Sequence, residues 1–228
     1  MIEAIIFDMD GLMFDTESLN MRGWIYAGTL HGHAITEEQI RKHIGSNLAA
    51  TKKMMTEQMG PGFDFDAVRQ DRIDYAFRHI EEHGTPLKKG LRELLRYLKE
   101  KGFKTAIASS SEERFVQYYL RHAKLDHEFD AVVCGNKVER SKPHPDIFLK
   151  AASDLGCSPD ECLVLEDSLH GVTAASRAGM RVVMIPDLVQ PTPDVEALLC
   201  SKLDNLEEVI PLLDSMGGKT AGTADPGV

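Results

Sequence analysis

Apolar residues along this chain follow two signatures, short uninterrupted runs and stripes with helical spacing, and the two alternate over much of its length. Uninterrupted runs suit strands buried on both faces of a parallel sheet. They occupy residues 2–7, Lys104-Thr105-Ala106-Ile107-Ala108, Ala131-Val132-Val133, Cys162-Leu163-Val164-Leu165 and Arg181-Val182-Val183-Met184-Ile185. Leu91, Leu94, Leu95 and Leu98 repeat at i, i+3, i+4 and i+7 and stop at Gly102. Ile147, Ala151, Ala152 and Leu155 form a second stripe closed by Gly156, and Leu206, Val209, Ile210 and Leu213 form a third. Strands alternating with helices predict an α/β fold with a doubly wound parallel sheet, whose ligands bind beyond the carboxyl ends of the strands.

One interval breaks the alternation. Residues 8–103, between the first two predicted strands, far exceed a single crossover helix, and 16–83 hold helical stretches without a convincing strand. Ile73, Phe77 and Ile80, for example, share one face of a long charged helix. The pattern predicts a separate helical domain at 16–84, hinged near Asp15 and Thr85-Pro86, inserted into a core of 1–15 and 85–216. Residues 217–228 lack apolar periodicity and read as a disordered tail. Its Gly218-Lys219-Thr220 is a weak match to a phosphate loop, because the upstream glycine spacing, preceding strand and following helix are missing.

Composition narrows the function classes. A formal net charge of −10 over 228 residues, with no basic block, argues against a nucleic-acid groove. Cys134, Cys157, Cys162 and Cys200 are too scattered for a zinc or redox motif and read as reduced structural thiols. No segment has the run of about 18 apolar residues that a membrane span needs, and the chain opens directly into a strand. A soluble, cytoplasmic protein is expected, and with no long amphipathic zipper, a monomer.

Four predicted strand ends carry polar residues suited to a phosphate group. Asp8 and Asp10 follow Ala4-Ile5-Ile6-Phe7, and strand alternation turns residues two apart to one side. A buried carboxylate is costly unless it meets a cation or shifts its pKa. One of this pair can attack phosphorus while the other moves the proton; the plain alternative is turn capping. Ser109-Ser110-Ser111 precede Glu112 and Glu113 at a helix start, where hydroxyls and free N–H groups can meet an anion or simply cap the helix. Lys142, made extended by Pro143, can neutralise phosphate oxygens or lie solvated on the surface, and His144 belongs to the turn. Glu166-Asp167 would repel each other without a cation. Mg²⁺ suits Asp8, a backbone carbonyl of Asp10, Asp167 and Glu166, the alternative being a capping pair for a helix beginning near Ser168.

Taken in order, the stretch from Asp8 to Glu17, then Ser109, Lys142-Pro143 and Glu166-Asp167-Ser168 resemble the four motifs of the haloacid dehalogenase superfamily. The resemblance runs to about residue 213 and includes Gly171 and Ala178-Gly179. Within the superfamily the chain is similar to the phosphatase and beta-phosphoglucomutase group, which has a helical cap after the first motif. The resemblance implies an aspartyl-phosphate mechanism: Asp8 as nucleophile, Asp10 as general acid/base, Ser109, Ser110 and Lys142 on the phosphoryl group. Mg²⁺ would be held by Asp8, Asp10, Asp167 and Glu166. Asp10 argues against the dehalogenases and phosphonoacetaldehyde hydrolases of the superfamily, which lack an aspartate there.

Beta-phosphoglucomutases carry a histidine four residues after the threonine that matches Thr16, and a cap arginine and lysine on the distal phosphate. This chain has Asn20 at the first of these positions and Leu48 or Asn47 at the arginine's, which favours hydrolysis over phosphoryl transfer to a sugar. Arg22 and Trp24 agree with the mutase-like pattern and keep a phosphorylated sugar as the substrate class, although Trp24 can equally pack the cap and Arg22 be a solvated charge. Glu17 is a candidate for positioning water, and Lys52 and Lys53 read as a charged helix face. The expected function is Mg²⁺-dependent hydrolysis of a small phosphorylated metabolite, a sugar phosphate. A sugar phosphomutase and a non-catalytic metabolite-binding protein are the alternatives, the latter disfavoured by the intact set Asp8, Asp10, Lys142 and Asp167.

Overall fold

The predicted strands assemble into one six-stranded sheet in a computed structural model that describes residues 1–42 and 48–217. All neighbours are parallel, in the order β3-β2-β1-β4-β5-β6. The strands are β1 (Ala4–Phe7), β2 (Lys104–Ser109), β3 (Ala131–Cys134), β4 (Cys162–Glu166), β5 (Arg181–Met184) and β6 (Ser201–Lys202). The sixth strand was not predicted: it is short, polar and at the sheet edge, so it leaves no periodic trace.

Alternation explains why β1 reads as continuously apolar. Ile5 and Phe7 pack on one face, under helices α5 (Leu91–Lys101), α6 (Glu113–Ala123) and α10 (Val209–Ser215), while Ala4 and Ile6 pack on the other, against α7 (Asp146–Leu155) and α8 (Leu169–Arg177). A short α9 (Pro193–Glu196) precedes β6. Phe7 aligns with Ile107 of β2 and Leu165 of β4, so the ends of the three central strands are level. The chain winds one way from β1 to β3 and the other way from β4 to β6, leaving a crevice beyond the carboxyl ends of β1 and β4.

The long interval after β1 holds α1 (Thr16–Leu30), α2 (Glu37–Arg41), α3 (Leu48–Met59) and α4 (Phe65–His83). These cap helices have their own apolar cluster of Met21, Trp24, Ala27, Ile40, Met55, Phe65 and Val68, with the Trp24 and Phe65 rings 5.6 Å apart. Leu19, Ala76 and Ile80 instead join the cluster on the sheet. The chain leaves the core and returns to it as a ribbon: Asp15 N–H donates to Pro86 O and Lys88 N–H to Met13 O, each at 2.9 Å. Gly11, at φ +84°, makes the turn that starts the ribbon, and its N–H donates to Phe14 O.

Among the described residues no helix is long and apolar enough to cross a membrane, and the four cysteines form no disulfide. Asn47, Gly218-Lys219-Thr220 and the expected tail beyond Gly217 lie outside the described residues.

Phe14 is fully buried where the ribbon meets the core, its ring centroid 6.1 Å from that of Tyr119. Phe14→Ala is expected to lower unfolding stability by about 3–5 kcal/mol, read from urea denaturation. An unchanged midpoint would show that the ribbon contributes little to the fold.

Candidate active site

Asp8 lies one residue beyond β1, its N–H donating to Leu165 O at 3.0 Å, which extends the ladder and turns the carboxylate into the crevice. Lys142, in the loop before α7, reaches it from the opposite side. The Lys142 Nζ donates to Asp8 Oδ1 at 2.5 Å, Glu166 Oε1 at 2.6 Å and Ala108 O at 3.0 Å, satisfying all three ammonium donors. It also lies 4.9 Å from the centre of the Phe148 ring. Burial opposes the lysine's charge, but Asp8 and Glu166 outweigh it and hold the ammonium above its ordinary pKa. Burial dominates at Asp8: despite Lys142, and with Glu166 and Asp10 adding repulsion, its carboxyl is pushed up to about 8.

Asp10 faces the same crevice from the turn. Thr16 donates to Asp10 Oδ1 at 2.8 Å, and Ser111 to Asp10 Oδ2 at 2.8 Å, with Ser109 at 3.4 Å. Ser109 is fully buried and accepts from Ser111 N–H, whereas Ser110 is exposed on the lining of the cavity. Of the expected phosphate ligands, Lys142 is therefore at the centre and the serines form one wall, with Ser111 closest to Asp10.

Glu166 departs from its expected role as a metal ligand. Its Oε1 takes Lys142, and its Oε2 takes the N–H groups of Asp167 and Ser168 at 2.9 and 2.8 Å and the Ser168 hydroxyl at 3.0 Å. The side chain is fully buried against Gly171, where a Cβ would lie 1.7 Å from Oε1. Protein donors occupy both oxygens, so Glu166 positions Lys142 and the start of α8. Its neighbour Asp167 points the other way, over Gly11, where a Cβ would fall 2.3 Å from Oδ2. Burial, then repulsion from Glu166, Asp8 and Glu17, drives the Asp167 carboxyl well above its usual range.

The cap closes a cavity of about 400 Å³ over these groups. Glu17, Asn20 and Trp24 from α1 and Arg69 and Arg72 from α4 line it. Burial and the nearby Asp10 and Asp187 raise the Glu17 carboxyl to about 7. Arg72 donates to Asn20 Oδ1 at 2.5 Å and lies 5.4 Å from the Trp24 ring centre, and its buried Nε has no partner. Arg69 is already paired with Glu112 at 3.1 Å. Arg22, Lys52, Lys53 and His144 are exposed; Lys52 pairs with Asp66 at 2.5 Å, as a charged helix face would.

Sequence reasoning gave no role to the Thr16 hydroxyl, Arg72 or Asp187, and named Ser111 only together with Ser109 and Ser110. Arg72 had a signal: four residues before Ala76, it lies at the edge of the apolar stripe of Ile73, Ala76, Phe77 and Ile80 on α4. Asp187 follows the apolar run of β5, the same cue that marks Asp8.

The donors suit a hard divalent cation. Asp8, Asp167 and the carbonyl of Asp10 offer oxygen, and burial followed by repulsion between neighbouring carboxylates raises the Asp167 carboxyl, as a site awaiting a cation would show. Among the described residues no three acidic, histidine or cysteine side chains converge enough to hold a metal alone, so carbonyl, water or substrate oxygens would complete the set.

A doubly wound sheet with carboxylates and a buried lysine at its switch point, covered by a helical cap, is the architecture of a cap-bearing α/β enzyme. Residues 5–185 match the family of haloacid dehalogenase-like hydrolases, to which the chain belongs. It is 35% identical over 194 residues to YhcW of Bacillus subtilis, covering 84% of this chain and 87% of that protein. It is 31% identical over 198 residues to a phosphorylated carbohydrates phosphatase of Thermotoga maritima, covering 87% of this chain and 90% of that one. In fold it is similar to the crystal structure of CbbY from Rhodobacter sphaeroides in complex with phosphate, at 24% identity and a TM-score of 0.78 over 92% of this chain and 96% of that one. The chain is thus an enzyme, a hydrolase of phosphatase type acting on a phosphorylated small molecule.

Asp8 and Glu17 bind protons in the folded chain that the unfolded chain, with carboxyls near 3.8 and 4.5, has already released. Their contribution to stability is therefore full below about pH 4 and is lost as pH rises through 7 and then 8. Without metal, the Tm is expected to fall between about pH 5 and pH 8, and the Tm gain from millimolar Mg²⁺ to grow over the same range. A Mg²⁺ effect independent of pH would exclude competition between cation and protons.

Proposed function

We propose that this protein is a Mg²⁺-dependent phosphomonoesterase of a sugar phosphate, working through an aspartyl-phosphate on Asp8. The observation that supports it most is the Asp8 carboxylate held by Lys142 at 2.5 Å, with Asp10 beside it facing the same cavity. An Asp8 oxygen attacks phosphorus while the Lys142 ammonium stands against the phosphoryl oxygens, and the alcohol oxygen leaves with a proton from Asp10. Asp10 then takes a proton from the water that hydrolyses the acyl phosphate. Thr16 and Ser111 hydroxyls suit this exchange, because each can donate to the carboxylate or turn to accept from the acid. Mg²⁺, when bound by Asp8, Asp167 and the Asp10 carbonyl, would offset repulsion between the carboxylate nucleophile and the phosphate dianion.

The substrate class rests on the cap wall. Trp24 offers an apolar ring edge, Asn20 an amide, and Arg72 an uncommitted Nε, a combination suited to a polyhydroxylated carbon skeleton. The phosphorylated carbohydrates phosphatase to which the chain is similar supports the same class. Asn20, which stands where a mutase has histidine, is already bound to Arg72, which supports hydrolysis by water over a mutase.

Asp8→Asn is expected to abolish phosphate release from sugar phosphates, and EDTA to remove it reversibly; activity surviving either would sink the proposal. With a hexose 1-phosphate and a bisphosphate activator, free phosphate should outpace the 6-phosphate isomer, the reverse result identifying a mutase. Arg72→Ala should raise KM by about tenfold or more, as expected for losing a charged hydrogen bond worth about 1.5–3 kcal/mol, with a smaller change in kcat.

A further inference from the structure

The loop after β5 brings one more carboxylate to the site. Asp187 follows Ile185-Pro186, and its side chain is only 9% exposed. Its Oδ1 accepts from Lys88 Nζ at 2.7 Å. Its Oδ2 is buried and has no hydrogen-bond partner. That free oxygen lies 3.3 Å from the point a Cβ on Gly11 would occupy, the same point from which Asp167 Oδ2 is 2.3 Å away. Two carboxylates from different strands therefore converge over one glycine. An unpartnered buried carboxylate oxygen is costly, and its usual remedy is a donor that arrives with a ligand.

The geometry points to Asp187 as a positioning residue for the cation site, its Oδ2 accepting from a water on the cation bound by Asp167 while its Oδ1 ties that site to the cap ribbon through Lys88. This rests on the Mg²⁺ reading given above. Carboxylates that orient a metal's waters from outside the direct ligands set affinity strongly, and their removal typically costs about 10–100-fold in metal binding. Lys88 is part of the ribbon, its own N–H donating to Met13 O. The cation site and the ribbon that joins cap to core thus share one ion pair.

The ion pair makes two substitutions act in opposite directions. Asp187→Asn removes the acceptor's charge, and Lys88→Met removes a positive charge from the neighbourhood of the cation. Calorimetric titration of Mg²⁺ into the metal-free full-length protein, without substrate, should show Kd about tenfold higher for Asp187→Asn and lower than wild type for Lys88→Met. A general loosening of the loop would weaken both, so equal losses overturn the inference. So does an Asp187→Asn Kd equal to wild type while wild type binds. Absence of Mg²⁺ binding by wild type overturns the cation reading itself and this inference with it. Should Asp187→Asn not fold, Asp187→Ser takes its place and is read against the same outcomes.

Discussion

A buried ammonium between two carboxylates is the constraint around which this molecule is built. Lys142 can be dehydrated only because Asp8, Glu166 and the Ala108 carbonyl take all three of its donors. Those partners come from the carboxyl ends of β1, β4 and β2, which the register aligns at one level. Removing one member of such a set leaves an uncompensated buried charge, at a cost of about 3–5 kcal/mol. The fold and the chemistry are therefore not separable here: the strands must end together for the lysine to be tolerated, and the lysine must be present for Asp8 to carry charge. Gly171 belongs to the same constraint, since Glu166 fills the space a side chain there would need.

The cap is joined to this centre by backbone, apolar contact and an ion pair. Its helices have their own apolar cluster, and they meet the core through the ribbon of residues 13–15 against 86–88, through Leu19, Ala76 and Ile80, through Phe77 on Tyr118 at 4.0 Å and through Arg69 on Glu112. Thr16 begins α1 directly after the ribbon and donates to Asp10. Asp10 is thus held from the cap side by Thr16 and from the core side by Ser111, whereas Asp8 is held from the core side by Lys142. The cap supplies Arg72, Asn20, Trp24 and Glu17 to the same cavity.

Much of this was legible in the chain because charge placed after an apolar run is conspicuous. Asp8, Asp10 and Asp167 stand out on that ground, Lys142 only through the proline that follows it, and the parallel sheet follows from runs that are apolar on both faces. Glu166 and Asp167 look equivalent in sequence, although a strand turns consecutive side chains to opposite sides. Only Asp167 faces the crevice; Glu166 turns inward to Lys142. The partner of Arg72 was hidden by distance: Asn20 lies 52 residues away, and no local pattern announces such a pairing. The edge strand β6 was hidden by brevity.

The charge distribution also limits what can bind. Asp8, Asp10, Asp167, Asp187 and Glu17 gather around the turn at Gly11, while Lys142 is consumed by Asp8 and Glu166 and Lys88 by Asp187. Burial raises Asp8, Asp167 and Glu17, so the metal-free site relieves its own repulsion by retaining protons. A phosphate dianion entering that environment would meet protonated acids at best and carboxylates at worst, and a protonated Asp8 is no nucleophile. On the proposed mechanism, Mg²⁺ held by Asp8, Asp167 and the Asp10 carbonyl would ease both difficulties by supplying positive charge beside Asp8 and the phosphate. The surplus of carboxylates is the feature that would then let an aspartate act as nucleophile at neutral pH.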